Sequence, residues 1–81
     1  MPQPKEDTAR IDEAALGLLY LTLHDDNRAW KGLDWAIFDR LHAAGLIGNP
    51  ANKNKSVALT EEGVAAAEAA WRKLFAVKEP G

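Results

Sequence analysis

Two stretches of the sequence decide the fold: residues 41–47, LHAAGLI, and residues 57–63, VALTEEG. The first has the pattern of a helix that ends at a left-handed glycine and continues into a strand. The second has the pattern of a strand followed by a helix, with Thr60 as the cap and two acidic residues in the first helical turn. Together they predict a helix end, a β-hairpin and the start of another helix.

The segment before these stretches predicts a long first helix, from residue 7 or 8 to Leu23. Its apolar side chains cover nearly the whole circumference, which favours burial against a partner in a domain this small. Gly17 lies inside this helix, where glycine costs about 1 kcal/mol relative to alanine. It either marks a close approach by another backbone or is simply tolerated.

The remaining predicted elements are short. Residues 28–30 form a short strand and residues 35–44 a second helix that begins after Asp34. Residues 46–48 and 55–59 form the hairpin, and a third helix follows Thr60 and stops before Pro80. The predicted fold is therefore α+β, mainly α with a small β-hairpin. Its order is helix, short strand, helix, strand, loop (residues 49–54), strand, helix.

Length and composition limit the class of protein. A chain of 81 residues makes one domain, expected over residues 8–78 after a flexible tail at residues 1–7. The sequence has no cysteine, so it offers neither a disulfide nor a thiolate metal site. Its longest apolar run, residues 14–23, is too short to span a membrane and no signal peptide is evident. We therefore expect a soluble cytoplasmic protein with no membrane partner.

The basic residues are concentrated in the middle third of an otherwise acidic chain. The net charge is −2, whereas residues 28–55 hold five basic and two acidic side chains. The five are the candidate nucleic-acid contacts: Arg28, Lys31, Arg40, Lys53 and Lys55. Lys53 and Lys55, at the loop of the predicted hairpin, are suited to contact phosphates. The second helix offers only Arg40, with His42 beside it, to base edges. A solvated surface of mixed charge gives the same distribution by chance, and NKNK at residues 52–55 is also typical of a solvated turn.

The tryptophans allow two interpretations. Trp30 and Trp35 flank a Lys31-Gly32 turn, and if both are exposed they form an aromatic and basic platform for single-stranded nucleic acid or a peptide. Tryptophans in such positions are also common in cores and interfaces. Trp71 falls on the inward face of the third helix, where we expect it to be a core residue.

The apolar first helix predicts a homodimer. The expected interface residues are Leu16, Tyr20 and Leu23, with Leu16 and Tyr20 opposite the Ile11–Leu18 side of the helix. The sequence has no glycine-rich phosphate loop and no activated nucleophile, so we expect neither an enzyme nor a bound cofactor. His24 and His42 lie on different predicted elements and are better explained as surface residues than as metal ligands.

The run LHAAGLIGNP followed by SVALTEEGVAAAEAAW resembles the C-terminal half of winged-helix domains, over residues 37–75. The resemblance implies a recognition helix, a wing and a following helix. The chain departs from that pattern because residues 24–44 accommodate one helix where the standard motif has two. The resemblance therefore implies a reduced winged-helix-like domain whose second helix takes the place of the recognition helix.

Residues 11–47 and 52–63 also resemble a small bacterial family of unknown function, which implies no activity. The expected function is a regulatory protein-interaction module that homodimerises through its first helix and docks an unknown protein partner. The alternative is weak, largely sequence-nonspecific binding of DNA or other nucleic acid through the wing.

Overall fold

The computed structural model describes residues 7–25 and 27–77. Its elements are, in order, α1 (Thr8–Leu21), β1 (Arg28–Trp30), α2 (Trp35–Ala43), β2 (Ser56–Ala58) and α3 (Glu61–Leu74). These elements confirm the α+β prediction, although α1 ends at Leu21 rather than Leu23. The predicted tail lies outside the described residues except for Asp7, and so does the last residue of the predicted domain, 78.

Short polar side chains fix where the helices begin. The Asp7 carboxylate accepts a hydrogen bond from the Arg10 N–H at 3.1 Å, and Thr60 Oγ1 accepts one from the Gly63 N–H at 3.0 Å. Asp34 occupies the N-cap position of α2 but makes no side-chain capping bond there. At the other end of α2, Gly45 has a φ of +77°, so the predicted left-handed helix stop is confirmed.

The strands pair differently from the predicted hairpin. β1 and β2 are antiparallel, with Ala29 opposite Val57. The segment expected to form the first hairpin strand, residues 46–48, makes only an isolated bridge between Ile47 and Leu59. The prediction of a full strand there was wrong. The reason is local: beyond Gly48 the chain leaves the ladder into a loop containing Pro50, which has no N–H to donate.

The core is small and is built from all five elements. α1 packs along α3, and alanines on α3 let the two helices approach closely. The buried apolar residues are Ala15, Leu16, Leu19, Ala29, Phe38, Leu41, Ile47, Val57, Leu59, Ala67 and Ala70. Trp71 is only half-buried, with its ring 5.5 Å from that of Tyr20, so the expectation that it is a core residue was wrong.

Two glycines mark close approaches between elements. A Cβ on Gly63 would overlap the carbonyl oxygen of Leu46 and lie 2.8 Å from its carbonyl carbon. A Cβ on Gly17 would lie 2.6 Å from the ring of Phe75 and 3.4 Å from the backbone nitrogen of Trp71, so the group that approaches this glycine most closely is a side chain rather than the backbone expected. The neighbour at Gly17 is a side chain that can move, whereas the neighbour at Gly63 is backbone. Gly63 is therefore the position where a side chain is least tolerated.

Replacing Gly63 by alanine should destabilise the fold by about 3 kcal/mol, because the added methyl forces α3 away from the Leu46 backbone. Gly32→Ala is the matched control, since nothing lies within 4 Å of its added methyl and its φ is outside the left-handed region. That variant should be unchanged or gain up to about 1 kcal/mol. Urea unfolding followed by circular dichroism measures both, and equal midpoints for the two variants would contradict the close approach at Gly63.

Candidate functional site

A cleft of about 480 Å³ opens between the end of β1, the start of α2 and the loop of residues 49–55. We call it the aromatic cleft. Its lining residues are Trp30, Lys31, Gly32, Leu33, Trp35, Phe38, Asn52, Asn54 and Lys55. A cavity of this volume falls within the range that binds small ligands or a single side group of a polymer.

Strand alternation and helix position keep both indoles of the cleft exposed. In β1, Ala29 points into the core and is fully buried, so its neighbour Trp30 points outward and is 54% exposed. Trp35 is the first residue of α2 and is 56% exposed. The ring of His24 stacks on Trp30 with centroids 4.3 Å apart. The exposed arrangement required for an aromatic platform is therefore present, and neither tryptophan is part of the core.

The loop that forms one wall of the cleft is held in place by its own asparagines and by Lys31. The Lys31 ammonium donates to the Pro50 carbonyl at 2.8 Å and to Asn52 Oδ1 at 2.9 Å. Asn52 Oδ1 also accepts from the Asn54 N–H at 2.9 Å. The Asn49 side chain accepts from the Ala51 N–H at 2.9 Å. The wall is thus formed before any ligand arrives, which lowers the entropic cost of binding.

Three of the five predicted nucleic-acid contacts are occupied within the chain. Arg28 donates to Ser56 Oγ at 2.8 Å and to the Ser56 carbonyl at 3.1 Å. Arg40 forms a two-pronged ion pair with Asp12, with contacts of 2.8 Å from both Nε and Nη2. Lys31 anchors the loop. Arg40 therefore serves the packing of α2 on α1 rather than an outward recognition surface.

The other two predicted contacts, Lys53 and Lys55, lie exposed on the cleft loop. Within residues 7–25 and 27–77, neither ammonium has a hydrogen bond or an ion pair. The structure brings Lys31 and Lys55 into one cleft with the two tryptophans, and Lys53 lies on the same loop as Lys55. Sequence reasoning missed Asp12 as the partner of Arg40, because the two are distant in the chain and no local pattern links them.

The residues predicted for a dimer interface face the chain's own interior. Leu16 is only 7% exposed and belongs to the core. Tyr20 is half-buried beside Trp71, and Leu23 is half-buried against the core. The physical reason is that α3 covers this side of α1, which the sequence pattern did not reveal because α1 is apolar nearly all round.

A different set of apolar side chains is exposed on the two long helices. We call it the apolar helix face: Leu18, Leu21, Leu74, Phe75 and Val77. Gly17 connects its two halves, because the Phe75 ring lies directly over this glycine of α1. An ion pair between Lys73 and Glu13, 3.2 Å long, lies beside Leu74 and provides a polar edge.

The described residues contain neither a cluster of metal ligands nor a membrane-spanning helix. Over residues 7–25 and 27–77, histidine and acidic side chains do not gather into groups of three or more that could hold a metal ion. None of the helices described there has both the length and the apolar character needed to cross a membrane.

Comparison with known proteins identifies a family. The sequence profile of a family described as "Domain of unknown function (DUF6429)" matches residues 7–77. The chain is also similar to "Uncharacterized protein y4hR" of Sinorhizobium fredii (strain NBRC 101917 / NGR234), with 55% identity over 69 residues, covering 85% of this chain and 93% of that protein. No solved structure gives a significant match. The resemblance to a family of unknown function is confirmed, and the winged-helix likeness stays a prediction.

Replacing Lys31 by methionine should destabilise the protein by about 1–2 kcal/mol, because the Pro50 and Asn52 oxygens lose a charged donor. Lys55→Met is the matched control, since its ammonium makes no such bonds within the described residues, and it should change stability by less than about 0.5 kcal/mol. Urea unfolding gives both values. If Lys31→Met were as harmless as Lys55→Met, Lys31 would not be the anchor of the loop.

Proposed function

Because the chain belongs to the DUF6429 family, whose description names no activity, we propose a function from its surface: it is a protein-interaction module that homodimerises through the apolar helix face. The proposal keeps the first helix as the centre of the interface. It moves the contact from Leu16, Tyr20 and Leu23 to the side of α1 that stays exposed.

The observation that carries this proposal is the exposure of large apolar side chains on one continuous surface. Leu21 is 60% exposed and Leu18 is 44% exposed, and the end of α3 adds Phe75 at 41%. Soluble monomers rarely leave a contiguous apolar patch in water, so such a patch favours a partner. The Phe75 ring, just after α3, is seated against α1 at Gly17, which joins it to the helix that carries Leu18 and Leu21.

A second copy of the chain is the simplest partner for this face. A twofold axis brings the same helix stripe against itself, so every apolar residue on one copy meets an apolar surface on the other. The edge of the face carries both Glu13 and Lys73, so neither sign of charge dominates where the copies approach. An unknown protein partner that presents an apolar helix would fit by the same chemistry.

A second candidate function is weak binding of nucleic acid through the loop of residues 49–55. The observation in its favour is that Lys53 and Lys55 are exposed there and lack ion-pair partners within the described residues. Phosphate contacts from such lysines give affinity without sequence preference.

Leu21→Glu should convert the dimer into a folded monomer, because it places a charge at the centre of the apolar helix face without disturbing the core. Ala36→Glu, at an exposed position on α2, is the matched control and should remain dimeric. Light scattering from low to high micromolar concentration measures the mass, and circular dichroism checks the fold.

Leu16→Glu separates this interface from the one expected from the sequence. Leu16 is in the core, so the variant should lose its helical signal instead of giving a folded monomer. A wild-type mass of one chain at high micromolar concentration would refute the dimer.

A further inference from the structure

We propose that the aromatic cleft binds single-stranded nucleic acid, with bases stacked on Trp30 and Trp35 and phosphates held by the lysines of the cleft loop. This inference rests on the second candidate function and specifies its ligand. The residues of the aromatic cleft differ from those of the apolar helix face, although Leu18 of that face lines a small cavity together with Trp30.

The stacking part of the argument rests on the two indoles. Both line the same cleft, and each leaves more than half of its surface in solvent. One side of Trp30 is already covered by the His24 ring, with an interplanar angle of 26°. A base entering the cleft would therefore extend an existing stack. Base–aromatic stacking accepts all four bases, because each has a π face.

The charge of the cleft selects an anionic ligand. Its lining includes Lys31 and Lys55 and no acidic residue, and Lys53 lies on the same loop. Lys31 is hydrogen-bonded only to neutral oxygens, so its positive charge is not neutralised as that of Arg40 is by Asp12. Asn54 adds an amide group that can bond base edges, whereas the Asn52 amide is engaged within the loop.

The same geometry favours a single strand over a duplex. Bases in a duplex are stacked inside it and present no face to an indole, whereas bases in a single strand do. Reading a duplex would require outward polar side chains on α2, and Arg40 is engaged with Asp12. An acidic peptide would match the charge but not the pair of flat aromatic surfaces.

The test is a set of fluorescence anisotropy titrations with a labelled oligothymidylate, a duplex of the same length and a labelled oligoglutamate peptide. The oligothymidylate should bind at low salt, bind more weakly as salt rises, and outcompete both other probes. Trp30→Ala and Trp35→Ala should each weaken binding about tenfold. Val77→Ala, which removes an apolar side chain that is 87% exposed and does not line the cleft, should have no effect.

The lysine contribution is tested separately. Replacing Lys53 and Lys55 together by glutamine should weaken binding and reduce the slope of log affinity against log salt by about 0.7 for each lost phosphate contact. Arg10→Gln, at a side chain that is 86% exposed, is the control and should leave the slope unchanged. Trp30→Phe retains an aromatic face, so it should bind more tightly than Trp30→Ala.

Four results would overturn the proposal: no oligothymidylate binding at low salt, equal or tighter binding of the duplex, preferential binding of the peptide, or binding that survives both Trp→Ala changes. If a tryptophan variant fails to fold by circular dichroism, quenching of the wild-type tryptophan fluorescence by the unlabelled oligothymidylate decides, and its absence would overturn stacking. Light scattering of Leu21→Glu tests the homodimer independently. The homodimer and the nucleic-acid proposal can therefore fail separately.

Discussion

The junction between the end of α2 and the start of α3 is the constraint on which the rest of the structure depends. Thr60 Oγ1 donates to the Gly45 carbonyl at 2.8 Å, and the Thr60 N–H donates to the Leu46 carbonyl at 3.0 Å. Gly63 has no Cβ, so the first turn of α3 can rest on the Leu46 backbone. This junction is formed by four residues: Gly45, Leu46, Thr60 and Gly63. They belong to residues 41–47 and 57–63, so these two stretches of sequence specify the fold together.

Both candidate surfaces follow from this junction. It sets the direction of α3, and α3 then covers the Leu16 side of α1 and leaves Leu18 and Leu21 in solvent. It also sets the position of β2, which pairs with β1 and places Trp30 opposite Ser56 at the edge of the cleft. The chain between Gly48 and Ser56 then has to cross the end of the sheet, and Lys31 holds it there.

What the sequence predicted correctly is governed by local chemistry. Thr60 and Gly45 specify helix ends through bonds to near neighbours, so the helices and their order were recoverable. The pairing of β1 with β2 and the Asp12–Arg40 ion pair join residues far apart in the chain, and no local pattern encodes them. Because α1 is apolar on nearly all sides, its periodicity could not show which face α3 would cover.

The exposure of Trp30 was also beyond local prediction, because it depends on register. Within β1 the side chains alternate, so either Ala29 or Trp30 faces the core. The bridge between His24 and Arg28 fixes the turn that leads into β1, and pairing with Val57 directs Ala29 inward. A shift of one residue would bury the Trp30 indole, but it would also turn the Arg28 guanidinium, which lies on the same face of β1, toward the core. The core of a domain this small is limited, and the observed register leaves the Trp30 ring outside it, stacked on His24. The cost of burying the Arg28 charge favours the observed register, and the exposure of the Trp30 indole follows from that register.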